Sequence, residues 1–169
     1  MELNDNYFIS GSYDHRIKVW NMRASLPTVA YIIDHGAAVE KIIVSSNDKF
    51  LISAGGLVKI WDLSCGRRFV HALEHHHKTV TSLEFATNGT QLIIGGLDRR
   101  VNIFSLDSGD YRLVYLTKAA NSVVSLAVSP DDACMAVGMG NLLSICRRKQ
   151  KLVLLLEKLL QRKKLHQFY

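Results

Sequence analysis

Two prolines and three cysteines are all that the 169 residues contain of either type. Pro27 and Pro130 both lie between apolar runs, where turns are expected. Cys65, Cys134 and Cys146 are odd in number and form no Cys-x-x-Cys pair. A disulfide scaffold or structural zinc site is therefore disfavoured, and a reducing compartment fits better. The apolar run Leu152–Leu156 is among the longest and falls well short of the ~20 residues that cross a bilayer. Met1 to Tyr7 is acidic and polar, unlike a secretory leader. We expect no membrane partner.

Catalytic signatures are also missing. The chain has no G-x-S-x-G elbow and no glycine-rich phosphate loop followed by Lys-Ser/Thr. Seven histidines invite a metal reading, above all His71, His75, His76 and His77. Three consecutive histidines cannot converge on one ion, because neighbouring side chains diverge. The expectation is no catalytic residue, no metal, no cofactor and no small-molecule substrate. A hydrolase with a histidine-containing cleft is the rival from another class.

What is present is ordinary globular composition, 48% hydrophobic and 21% charged. The net charge of +6 is unevenly spread. Residues 147–169 hold eight Lys/Arg and one Glu, while the first 146 residues are near neutral. Phosphate attraction would have to act at the tail or at local clusters.

Repetition is the strongest signal. Val58-Lys59-Ile60-Trp61-Asp62 has weaker copies at Arg16–Asn21, Arg100–Ser105 and Leu142–Cys146. The anchors Trp20, Trp61, Phe104 and Ile145 are separated by 41, 43 and 41 residues. A period of roughly 40–45 residues ending near Trp-Asp marks four-stranded propeller blades. Apolar and polar residues alternate within each copy, as in half-buried strands.

Taken in order, Tyr7–Ser12 and Arg16–Met22 read as the second and third strands of a blade whose first strand is missing. Thr28–Ile33 is its outer strand. The second blade has strands at Val39–Val44, Phe50–Ala54, Leu57–Leu63 and Arg68–Leu73, with a tight turn at Gly55-Gly56. The third has Val80–Phe85, Gln91–Ile94, Arg100–Ser105 and Tyr111–Leu116. Asn88-Gly89 is a strong hairpin turn between the first two of these. The fourth has Val123–Val128, Met135–Val137 and Leu142–Cys146. After Lys149 the period changes to about 3.6, with Leu152, Leu155, Leu156, Leu159 and Leu160 on one helical stripe.

This arrangement resembles the WD40 β-propellers. The implied fold is all-β: an incomplete propeller of about three and a half blades over residues 1–149, with a basic amphipathic helix over 150–169. The blades fall at about 7–34, 35–74, 75–118 and 119–149. The chain looks like a fragment, a short isoform or a truncated gene model, beginning within one blade and ending in a leucine-rich helix.

In that family a buried polar chain links a His, a Ser/Thr, an Asp and the Trp of the third strand, so that the indole N–H and the imidazole are both satisfied. The first blade offers Ser10, Asp14 and Trp20, and the second His35, Ser53 and Trp61. The third offers His76 and Asp98, with Ile94 and Phe104 at the remaining positions. The fourth retains none. These residues are expected to be structural.

Several segments narrow the resemblance. Phe8-Ile-Ser-Gly-Ser-Tyr-Asp-His15, Leu51-Ile-Ser-Ala-Gly-Gly56, His76-His-Lys-Thr-Val-Thr81 and Gly96-Leu-Asp-Arg-Arg-Val101 form one ordered series. With Val137-Gly-Met139 and Leu143-Ser144 they resemble the later blades of a nucleolar family of small-subunit processome components associated with the U-three small nucleolar RNA. That resemblance implies a nucleolar, non-enzymatic scaffold in ribosome biogenesis. It would support pre-ribosomal RNA transcription and processing through other processome WD-repeat proteins, and contact pre-rRNA or snoRNP indirectly or through basic patches. Arg99, Arg100, Arg147, Arg148 and Lys149 are the candidate contacts to RNA or an acidic partner. The alternative is a WD40 adaptor elsewhere, such as a ubiquitin-ligase substrate receptor.

Overall fold

A computed structural model describes residues 2–3, 6–23, 25–64, 66–87 and 89–147. Within them the chain forms fifteen strands in four antiparallel sheets. Sheet one contains β1 (Glu2–Leu3), β2 (Tyr7–Gly11), β3 (Arg16–Asn21) and β4 (Thr28–Asp34). Sheet two contains β5 (Lys41–Val44), β6 (Phe50–Ala54), β7 (Val58–Asp62) and β8 (Arg68–Leu73). Sheet three contains β9 (Val80–Ala86), β10 (Gln91–Gly96), β11 (Arg100–Ser105) and β12 (Arg112–Lys118). Sheet four contains β13 (Ser125–Val128), β14 (Cys134–Met139) and β15 (Leu142–Arg147). Each sheet runs in chain order from its first strand to its last.

The period-two alternation dictates how the sheets pack, since successive side chains leave opposite faces. In sheet two, Leu51 and Trp61 join a core with Ile9, Ile17, Val19 and Ile33 of sheet one. Their neighbours Ile52 and Ile60 face the other way, joining Leu83, Leu92, Ile94 and Phe104 of sheet three. Ile93 and Val101 of sheet three then meet Leu126, Val137 and Met139 of sheet four. Three cores therefore lie between four sheets, and each sheet inside the stack is apolar on both faces.

Backbone bonds repeat with the same logic. Val39, Val80 and Val123 donate their N–H groups to Ser12, Gly55 and Gly96 carbonyls of the preceding sheet. All three valines are buried. β5 and β13 begin at Lys41 and Ser125, two residues later than the alternation predicts, whereas β9 begins at Val80 itself.

Two expectations need correction. The first blade is not without its first strand, because Glu2–Leu3 pairs antiparallel with Tyr7–Phe8. Two residues are too few for a periodicity to show. The fourth anchor is also misplaced. Leu51 pairs with Trp61, Leu92 with Phe104 and Phe8 with Trp20, at the second position of each middle strand. In sheet four that position is Met135, paired with Cys146, while Ile145 pairs with Ala136. The tighter β14–β15 turn, closing at Met139 and Leu142, shifts the register by one residue. The amphipathic helix expected over 150–169 lies outside the described residues.

Candidate functional site

The Asp-x-Arg hairpins come first, since they set where the polar groups converge. Asp14 and Asp98 each precede a residue with positive φ, His15 at 69° and Arg99 at 65°. Each carboxylate accepts the N–H two residues on, from Arg16 at 3.0 Å and Arg100 at 3.1 Å. That local bond lets a non-glycine residue sit in the left-handed region. Asp14 is exposed, and the Arg16 N–H holds its carboxyl below the usual value.

Asp98 goes further. It accepts the His77 N–H at 3.0 Å and meets His76 Nδ1 at 3.0 Å, with the Arg100 Nε at 3.9 Å. Burial pushes its carboxyl up, but the His77 N–H and His76 outweigh that and leave the pKa lowered. Burial also lowers the His76 pKa, against the pull of Asp98.

Sheet two carries the other half of the chain of bonds. The Trp61 indole donates to Ser53 Oγ at 2.8 Å, and Ser53 Oγ lies 2.9 Å from His35 Nδ1. His35 and Ser53 are buried, and burial depresses the His35 pKa to about 4. Lys59 donates to the His35 carbonyl at 2.7 Å. In sheet one the Trp20 indole donates to Ser10 Oγ at 2.9 Å, and both side chains are half-buried. Thus Ser10 meets Trp20, Ser53 meets both His35 and Trp61, and His76 meets Asp98, while Asp14 serves its own hairpin. Each ring of His35 and His76 keeps Nε2 without a hydrogen-bond partner among the described residues.

The other histidines disperse. His71 stacks on Tyr111 at 5.0 Å, and His75 meets Phe104 edge-on at 5.1 Å. Of the basic candidates, Arg99 is exposed, whereas the Arg100 guanidinium turns to Asp98 and to the His75 carbonyl at 3.4 Å. Arg147 is exposed opposite Cys134, at the end of sheet four remote from its β14–β15 turn. Arg99 occupies the equivalent β10–β11 turn of sheet three, so the two arginines sit at opposite strand ends of neighbouring sheets. Arg148 and Lys149 lie outside the described residues.

Sequence reasoning missed the links between sheets. Thr81 Oγ1 donates to the Val123 carbonyl at 2.7 Å, Ser82 Oγ accepts the Leu126 N–H at 2.9 Å, and Asp132 accepts the Thr87 N–H. Thr81-Ser82 on the first strand of sheet three was the available signal: hydroxyls in a buried strand need partners. Open apolar surface gathers at the two ends of the stack. Phe8 and Ile32 are exposed on sheet one, and Leu143 and Ile145 on sheet four.

The family model for "WD domain, G-beta repeat" matches residues 3–21 and 67–105. Sheet two's middle strands, with their shortened turn, fall outside both segments. The chain is 41% identical over 150 residues to the U3 small nucleolar RNA-associated protein 15 homolog of Gallus gallus, 88% of this chain and 28% of that protein. The Xenopus laevis protein of the same name is 41% identical over 149 residues, 87% of this chain and 28% of that protein. The Homo sapiens protein is 39% identical over 121 residues, 70% of this chain and 23% of that protein. The chain thus spans little more than a quarter of the length of these relatives. Among solved structures, the WD40 β-propeller domain of Doa1 superposes with a TM-score of 0.76 at 24% identity, covering 89% of this chain and 49% of that one.

Proposed function

From a chain that carries WD40 repeats and is similar to U3 small nucleolar RNA-associated protein 15 homologs, we propose a scaffold of the small-subunit processome. It supports pre-ribosomal RNA transcription and processing toward small-subunit rRNA, in the nucleolus, through protein–protein and RNP contacts. The observation that carries this reading is the extent of the similarity. Identity near 40% runs over 88% of the chain, so it reaches beyond the segments that the general repeat model matches. The Doa1 propeller, at 24% identity, speaks for the fold alone.

The physical layout suits a scaffold. WD40 propellers typically present surfaces rather than reaction centres, and we read this one as non-enzymatic, without cofactor or small-molecule substrate. The histidines that would serve a hydrolase are engaged elsewhere: His35 with Ser53, His76 with Asp98, His71 with Tyr111. The blade residues Ser10, Asp14, Trp20, His35, Ser53, Trp61, His76 and Asp98 act structurally in this reading. Arg99, Arg147, Arg148 and Lys149 face RNA or an acidic partner, with Arg100 contributing only its outer edge beside Asp98. The division into an incomplete propeller over 1–149 and a basic tail over 150–169 belongs to the same proposal.

The test is capture of the tagged chain from cells, with quantification of co-purifying RNA. Enrichment of the U3 small nucleolar RNA and of processome WD-repeat proteins over an unrelated small nucleolar RNA is expected. Recovery of a cullin-type ubiquitin ligase without that RNA overturns the proposal.

A further inference from the structure

Sheet three has a neighbouring sheet against each face, so its outer edge does not depend on which sheets end the stack. That edge is β12. Just beyond it, Ala119 donates its N–H to the Arg99 carbonyl at 2.7 Å. The antiparallel register then turns the backbone groups of Tyr115 and Thr117 toward β11 and those of Leu116 and Lys118 away from it. Side chains leave the strand open on both faces, with Val114 44%, Tyr115 50% and Leu116 45% exposed. The outer strands β4 and β8 have no such run: Val29 and Ile32 are exposed on one, Phe69 and Val70 on the other. Edge strands are commonly guarded by an internal charge or a proline, and β12 has neither between Leu113 and Thr117.

Charge decides what fits this edge. Arg112 and Lys118 close the two ends of β12, both are exposed, and the strand carries no carboxylate. Their cross-strand partners are Ser105 and Arg100, so Lys118 stands opposite a like charge. Arg100 leans on Asp98, whose carboxylate already serves His76 and the His77 N–H. A second copy's β12, paired antiparallel along the whole strand, would set Arg112 opposite Lys118, which the same repulsion opposes. Residues 147–169, with eight Lys/Arg and one Glu, are opposed for the same reason. We propose that β12 accepts a further strand from a partner protein: an extended segment with an uncharged, β-branched or aromatic middle and a carboxylate at each end, level with Arg112 and Lys118. Main-chain bonds supply the affinity, alternate side chains meet Leu116 on one face and Tyr115 on the other, and the end charges select the partner. This inference stands on the edge and its charges and does not rest on the processome reading.

Fluorescence anisotropy with the full 169-residue chain tests it, using two labelled peptides as long as β12. Both alternate valine and threonine; one has a glutamate at each end and the other a lysine. The glutamate-ended peptide is expected to bind about tenfold tighter, and Arg112→Glu combined with Lys118→Glu to reverse that preference. On binding, amide hydrogen exchange slows more at Leu116 and Lys118, whose N–H groups point outward, than at Thr117. Leu116→Pro removes one of those donors without touching the ladder to β11, and abolishes binding with an unchanged far-ultraviolet β signal. If that variant loses the β signal, methylation of alternate backbone nitrogens of the glutamate-ended peptide replaces it: methyls along one edge abolish binding, and methyls along the other leave it. Equal binding of the two peptides, binding of neither, or indifference to methylation overturns the proposal. So does displacement of the glutamate-ended peptide by a peptide of residues 148–169, or a chain oligomer that Leu116→Pro disperses, since either means a different occupant.

Discussion

Ser53 and Ser10 occupy the same register position in neighbouring sheets, and each accepts a tryptophan N–H. They differ in what surrounds them. Ser53 is fully buried and also meets His35, whereas Ser10 and Trp20 are half-buried on the open face of sheet one. Ser53→Ala strands the Trp61 indole N–H and the His35 Nδ1 away from water. An unmade bond of this kind costs about 1–3 kcal/mol per buried group, so a loss of about 2–3 kcal/mol is expected. Ser10→Ala leaves an indole that water reaches, and costs at most about 1 kcal/mol. Urea unfolding followed by tryptophan fluorescence reads both, at one protein concentration because association shifts apparent stability. With a slope of about 2 kcal/mol per molar urea, the Ser53 midpoint falls by about 1 M and the Ser10 midpoint by less than half of that. Trp61→Phe removes the donor, and combined with Ser53→Ala it costs about 1 kcal/mol less than the separate losses added together. Equal losses at Ser53 and Ser10, or a strictly additive double variant, would refute the reasoning.

Acid should weaken the fold through His35. Burial, aided by Lys59, lowers its pKa from 6.5 to about 4, against the opposing pull of Asp34. The unfolded chain therefore binds a proton that the folded chain refuses. This stabilisation is complete above about pH 6.5 and is lost as pH falls toward 4, on the order of 3 kcal/mol in all. His76 is shifted the same way, so the control is His35→Gln, in which urea midpoints at neutral and mildly acid pH draw closer together without becoming equal. Gly55→Ala and Gly56→Ala form a matched pair. A Cβ at Gly55 runs into the Ala38 carbonyl, whereas one at Gly56 meets only the Ala37 Cβ at 3.8 Å. Gly55→Ala should cost about 1–3 kcal/mol by thermal or urea unfolding and Gly56→Ala less than about 1. Similar melting of the two variants would sink that account.

Much of this architecture was legible because a propeller repeats itself. Trp20, Trp61 and Phe104 marked equivalent positions, and the alternation around them defined strands that the structure contains. The tight turn at Gly55-Gly56 was also visible, but its reason was not: Gly55 is small because the Ala38 backbone comes close to it, where the chain enters β5 beside the end of its partner β6. Ile145 illustrates the opposite failure. Spacing alone chose it as an anchor, yet a two-residue turn moved the register, and in a strand a one-residue shift exchanges the faces. The Thr81 and Ser82 hydroxyls signalled a need for partners, but which groups Val39, Thr81 and Ser82 meet across the sheets was illegible for a simpler reason. Hydrogen bonds across sheets depend on which residues the stacking brings level, and no local pattern encodes that.

The fading of the polar chain from sheet to sheet follows a physical rule. Sheet two keeps Ser53 with Trp61, so donor and acceptor are both present and both buried. Sheet three replaces both at once, with Ile94 and Phe104, each fully buried. Losing one partner strands the other at full desolvation cost, while replacing both by apolar groups of similar shape is close to neutral. The two positions therefore change as a pair, and a blade survives in either state. His76 illustrates the remainder: with no hydroxyl at the Ile94 position, it keeps Asp98, whose carboxylate is also fixed by the His77 and Arg100 N–H groups. The hairpin needs Asp98 whether or not the tryptophan is present, so the Asp–His half can outlast the Ser–Trp half. A repeat protein that loses these bonds in matched halves keeps its sheets.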